Sequence, residues 1–178
     1  MWPVLFSVFR RMLPPVFVAL SAGVAPANSA AELLEVEQSV FGMDCAPCAY
    51  GVEKSLKKIQ GVTEVTVSLN EGLVKMLLAP ENRVTLKEIR QRILDNGFTP
   101  KEAMVRISGT IDTGASPLRL TTAGNIIYVL APSAAVGEAD LGKLKAMGSG
   151  SEIEVQGRIE AGANDPFPVS VTAFSALR

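Results

Sequence analysis

Two residues in this chain have the type and spacing for soft-ligand or redox chemistry. They are Cys45 and Cys48, the only cysteines in the sequence, within Gly42-Met43-Asp44-Cys45-Ala46-Pro47-Cys48. Two thiols three residues apart at the start of a helix share the positive end of its dipole. That lowers their pKa and favours the thiolate, which ligates soft metals and attacks disulfides. The chain has no histidine, so imidazole acid–base chemistry and mixed Cys/His zinc sites cannot be built from it alone.

The elements around the pair follow from hydrophobic periodicity. Residues 35 to 42 alternate as a strand, and residues 46 to 60 carry Val52, Leu56 and Ile59 on one helical face, with Gly61 as the stop. Val65, Val67 and Leu69, the turn Asn70-Glu71-Gly72, and Val74, Met76 and Leu78 predict a hairpin. Thr85, with Glu88 three residues on, begins a second helix that ends before Gly97 and buries Leu86, Ile89 and Ile93. A closing strand from Pro100 to about Val105 completes a ferredoxin-like βαββαβ order.

These residues resemble the heavy-metal-associated domain of copper chaperones, metal-pumping P-type ATPases and the periplasmic mercury-binding protein. The resemblance covers residues 35–104 and rests on GMDCAPC, the glycine-turn hairpin and the second helix ending in Asn96-Gly97-Phe98. It implies that Cys45 and Cys48 are the metal ligands, that Met43 is the buried loop methionine propping the site, and that Phe98 closes over it from the facing loop. Thiolates select Cu(I), Hg(II), Zn(II) or Cd(II) over hard cations, and a pair of them suits a two-coordinate metal, so Cu(I) or Hg(II) is the first expectation. Asp44 is either an added ligand, favouring zinc or cadmium, or an acid placed to cap and complement the helix N-terminus. An exposed two-coordinate site would pass its ion to a metal transporter or another metal-binding protein by ligand exchange, without enzymatic turnover. Two other readings of the pair stand beside this one: a thiol–disulfide oxidoreductase, because Cys-Ala-Pro-Cys also resembles the thioredoxin motif, and a plain structural bridge.

Residues 1–30 read as a signal peptide. Arg10 and Arg11 precede an apolar run and Ala25-Pro26-Ala27, a small-x-small cleavage pattern, so a periplasmic or secreted location is expected. A membrane association would then come only through a partner or an uncleaved N-terminus; the apolar run falls short of the roughly 20 residues a span needs. Glu53, Lys54, Lys57 and Lys58 lie on the outward side of the first helix, either a solvated face or a dock for an acidic partner.

Residues 105–178 have a different grammar. Three short strands, a helix from about Ala139 to Met147 and two more strands give β-β-β-α-β-β, which loosely resembles an OB-type barrel, with Gly109 and Gly157 where such strands bend. The fold class expected for the whole chain is therefore α+β, a ferredoxin-like domain followed by a small OB-like β-barrel. Residues 103–178 carry six basic and seven acidic groups and only Tyr128, Phe167 and Phe174 as aromatics. A basic groove with stacking platforms is missing, which argues against nucleic acid. With no Gly/Pro/Ser-rich linker between the halves, one strand near Met104 is expected to run from the first into the second.

Overall fold

The computed structural model describes residues 32–177. The expected signal segment therefore lies outside the described residues. Within them the elements run β1 (Leu33–Phe41), α1 (Ala46–Leu56), β2 (Val62–Ser68), β3 (Leu73–Leu78), α2 (Leu86–Asp95), β4 (Thr99–Asp112), β5 (Arg119–Thr121), β6 (Ile127–Ala131), α3 (Glu138–Ala146), β7 (Glu152–Ile159) and β8 (Phe167–Ala176).

The first half is the anticipated βαββαβ sheet. Its strands lie in the order β2-β3-β1-β4, all pairs antiparallel, and the two helices cover one face. Helical spacing puts Val52, Leu56 and Ile59 of the first crossover, and Leu86, Ile89 and Ile93 of α2, against that sheet, where every one of them is buried. Thr85 caps α2 as its sequence signature predicts, its hydroxyl accepting from the Glu88 amide at 3.0 Å. Gly61, at φ +101°, ends the first crossover in a conformation that a side chain would strain.

The second half closes into a five-stranded barrel. From β4 the ladder passes through β5, β6, β8 and β7 and returns to β4, and only the β6–β8 pair is parallel. Tyr128 and Phe167 stack inside it with ring centroids 6.5 Å apart and are buried. The two glycines singled out in the sequence sit where strands approach closely. A Cβ on Gly109 would lie 2.8 Å from Leu120 Cγ, and one on Gly157 would collide with Val169 Cγ1 and lie 2.7 Å from the Ser170 carbonyl oxygen. Neither needs a left-handed backbone; what each requires is space. At Gly157 the β7–β8 register also shifts by a bulge, which bends the strand.

β4 belongs to both halves. Its residues from Thr99 to Ile107 pair with β1, while Ala103 to Thr110 pair with β7 on the other edge. One hydrophobic cluster consequently extends from Val52 and Ile89 through Val105 and Ile107 to Tyr128 and Val169.

Arg90 joins the halves a second time. It is only 8% exposed. Its guanidinium donates to Gln38 Oε1 at 3.2 Å, to the Lys101 carbonyl at 3.1 Å, and to the Glu160 and Ala163 carbonyls beyond β7 at 3.1 and 3.2 Å. It also lies 5.7 Å from the Phe167 ring centroid. Burial pushes its pKa down from the usual arginine value.

Candidate metal centre

The cysteine loop is shaped by the transition from strand to helix. β1 ends at Phe41, and Gly42 turns the chain at φ +89°, a left-handed conformation suited to glycine. Met43 then points into the core and is 2% exposed. Met43 thus anchors the loop from beneath, which releases Asp44 and Cys45 to solvent.

Cys45 is the N-cap of α1. Its backbone is extended, at φ −135° and ψ 147°, and its sulfur accepts from the Cys48 amide at 3.2 Å. This removes the capping half of one reading of Asp44 and leaves its dipole half, since Asp44 immediately precedes the N-cap. The capping role belongs to Cys45, α1 has no acid in its first turn, and Asp44 lies just outside the helix. Pro47, in the first turn, has no amide hydrogen to leave unpaired there. Cys48 is half-buried against the core, while Cys45 is exposed.

The two sulfurs are joined in a disulfide, with Cα atoms 5.1 Å apart. The backbone thus already holds both side chains on the same turn, facing one another. Two-electron reduction by an external dithiol, which supplies two protons and leaves as a disulfide, would give two thiols at the helix N-terminus, where the dipole favours release of their protons to solvent as the thiolates bond an incoming soft cation.

Phe98 comes from the opposite loop. Gly97, at φ +86°, ends α2, and the Phe98 amide donates to the Ile93 carbonyl at 3.2 Å. The Phe98 ring packs partly against the core, and its Cδ1 would be 3.9 Å from a Cβ on Gly42. Met43 beneath and Phe98 beside the loop are therefore brought to the same end of the sheet as the cysteines.

Two aromatic residues beside this loop were not singled out from the sequence. Phe41 is 68% exposed with Lys101 Nζ 5.2 Å from its ring centroid, and Tyr50 is 63% exposed with Lys54 Nζ 5.9 Å away. Phe41 occupies an outward position in the β1 alternation, which was a legible signal. On the outward side of α1, Lys57 pairs with Glu53. Among the described residues no group of three or more His, Cys, Asp or Glu side chains could enclose a metal ion.

A βαββαβ scaffold that presents a Cys-x-x-Cys pair on its first strand-to-helix loop defines a class of ferredoxin-like metal-binding modules. Residues 38–99 match the model of the heavy-metal-associated domain. The chain is 36% identical over 63 residues to the copper chaperone CopZ of Staphylococcus haemolyticus, an alignment covering 35% of this chain and 91% of that protein. It is 30% identical over 81 residues to the mercuric transport protein periplasmic component of Shigella flexneri, covering 46% of this chain and 86% of the relative. With the human copper-transporting ATPase 2 it shares 36% identity over 87 residues, or 49% of this chain and 6% of the ATPase. The chain thus spans only a small fraction of the ATPases it matches. It belongs to the heavy-metal-associated domain family.

Proposed function

We propose that this protein is an exported carrier of a soft metal ion. In the reduced form Cys45 and Cys48 hold one Cu(I) or Hg(II) and surrender it by thiolate exchange to a metal transporter or another metal-binding protein. The observation that carries the reading is the placement of both sulfurs on one exposed turn, backed by Met43 and Phe98. Two soft donors fit a two-coordinate cargo, and the open side admits the thiols of an acceptor. The family relationship and the names of the relatives, which include copper and mercuric carriers, support a soft ion over a hard one. Asp44, exposed and adjacent to Cys45, is the residue that would adapt the site to Zn(II) or Cd(II).

A periplasmic or secreted location rests on the N-terminal sequence and fits a chain in which, among the described residues, no helix is long and apolar enough to cross a membrane. The strand order of the barrel, with a helix between its third and fourth strands, supports the OB-like reading, and recruiting the partner is the role this proposal gives it. Residues 35–104 would then be the metal module and 105–178 the recruiting module.

The Cys45–Cys48 disulfide supports a second reading, thiol–disulfide exchange with other exported proteins. One pair of assays separates the two. Anaerobically reduced protein is mixed with Cu(I), Hg(II) or Zn(II) and weighed by native mass spectrometry, while the same sample is assayed for insulin reduction. One equivalent of metal without turnover supports the carrier. Turnover without retained metal supports the oxidoreductase. A double Cys45→Ser, Cys48→Ser variant that keeps its full metal load would defeat the carrier reading, and one that keeps its insulin reduction would defeat the oxidoreductase.

A further inference from the structure

Between α2 and the segment that follows β7 there is a cleft of ≈ 700 Å³, a volume in the range of sites for small organic ligands. Its walls carry Lys87, Arg90 and Lys101 against one carboxylate, Asp165, and present the exposed Leu94 as apolar surface, with the largely buried Phe167 bordering it from the barrel side.

Arg90 is the informative member. Elsewhere in the chain, Lys57, Lys75, Arg106 and Lys143 each pair with a carboxylate at the surface. Arg90, far more buried than any of them, has no carboxylate within ion-pair distance among the described residues. Every acceptor it reaches is neutral. Carbonyl oxygens solvate a guanidinium but do not cancel its charge, so a buried cation held this way keeps an outward field. Arg90 lines the cleft, and its Nη1 makes a single hydrogen bond, to the Ala163 carbonyl, so that one of its two N–H donors is uncommitted. Lys87 and Lys101 are exposed and border the same mouth, the Lys101 ammonium lying 5.2 Å from the Phe41 ring centroid. The field, the spare donor and the apolar wall converge on one kind of occupant.

We propose that this cleft binds a small organic anion, a carboxylate or phosphate carried on an apolar body, with the anionic group toward Arg90, Lys87 and Lys101 and the body against Leu94. The site is separate from the cysteine pair, and its occupation does not require metal.

The test uses the full, metal-free chain labelled with ¹⁵N and titrated with phenyl phosphate, benzoate, inorganic phosphate and the neutral isostere benzamide. Phenyl phosphate or benzoate should produce saturable shifts confined to amides of residues 87–101 and 161–167. Benzamide should bind at least about tenfold more weakly than benzoate, as the loss of charge-assisted hydrogen bonds requires. A double Lys87→Ala, Lys101→Ala variant, which leaves Arg90 in place and the fold intact, should weaken both anions about tenfold or more while taking up Cu(I) or Hg(II) with the parent's stoichiometry. That last measurement keeps a failure here distinct from a failure of the carrier reading. Absence of saturable shifts, equal binding of benzamide and benzoate, or shifts centred on Lys54, Lys57 and Lys58 would overturn the proposal. Phenyl phosphate binding no tighter than inorganic phosphate would remove the apolar body from it.

Discussion

Replacing Arg90 with methionine tests whether the guanidinium holds the two halves together or merely survives between them. Methionine keeps much of the aliphatic volume beside Phe167 and removes the charge and all donors. Two effects then oppose one another. Release from the desolvation of an unpaired cation favours the variant, and a buried ion replaced by an apolar group is often neutral or stabilising. Against that stand the acceptors left behind. The Lys101 carbonyl still receives the Gln38 amide group at 3.0 Å, and the Glu160 carbonyl still receives the Ala163 amide at 3.3 Å. Ala163 is partly exposed in the lining of the cleft, so water can replace the guanidinium at its carbonyl. Gln38 Oε1 has no such substitute, because Gln38 is 0% exposed and Arg90 is its donor. One orphaned buried acceptor costs about 1–3 kcal/mol, and each lost hydrogen bond from a charged donor about 1.5–3 before the relief of desolvation is subtracted. The net expectation is a loss of about 2–3 kcal/mol. With a urea slope of roughly 2 kcal/mol/M, the far-UV circular dichroism midpoint should fall by about 1–1.5 M in a single transition. A midpoint equal to or above that of the parent would refute the reasoning, since the desolvation of the cation would then outweigh everything it donates to.

Three further outcomes are expected. Asp44→Asn should weaken Zn(II) binding to the reduced protein by about tenfold, the usual size of a lost supporting ligand, and leave Cu(I) affinity unchanged in competition titrations; equal zinc affinity removes Asp44 from the site. Gly157→Ala should destabilise by about 2–3 kcal/mol or more in the same urea assay, because its Cβ meets backbone as well as Val169, and backbone cannot swing aside. Glu35 has its carboxyl held below the usual carboxylate range, first by a hydrogen bond from Lys75 and then by Arg106. The stability it confers is therefore complete above the ordinary pKa of 4.5 and lost as pH falls through the lower folded value, so Glu35→Gln should flatten the acid limb of a stability–pH curve.

Most of the first half was legible because its sequence patterns agree with one another. The stripes of α1 and α2, the Thr85 cap and the glycine turns all mark the elements that the structure contains. The cysteine loop was legible in type, but the bridge itself was one of several readings, since spacing alone does not fix an oxidation state. Arg90 was missed for a physical reason. It lies between Ile89 and Gln91 on an amphipathic helix, and its place beside the buried stripe looks like a solvated margin until the barrel covers it. That covering depends on β8 pairing with β6 in parallel, a long-range contact with no local signature. The roles of Gly109 and Gly157 were legible as bends, but their requirement for empty space became visible only with Leu120 and Val169 opposite them.

The fourteen residues of β4 form an axle of about 45 Å at the usual rise per residue, clasped by β1 on one edge and β7 on the other. A module tethered by a loose linker samples many headings, whereas one built on a common strand has its heading fixed. Whatever grips the barrel therefore also aims the sulfur tip. An acceptor that docks on the second half would meet the cargo at a set angle, and delivery would be selected by geometry before any ligand is exchanged.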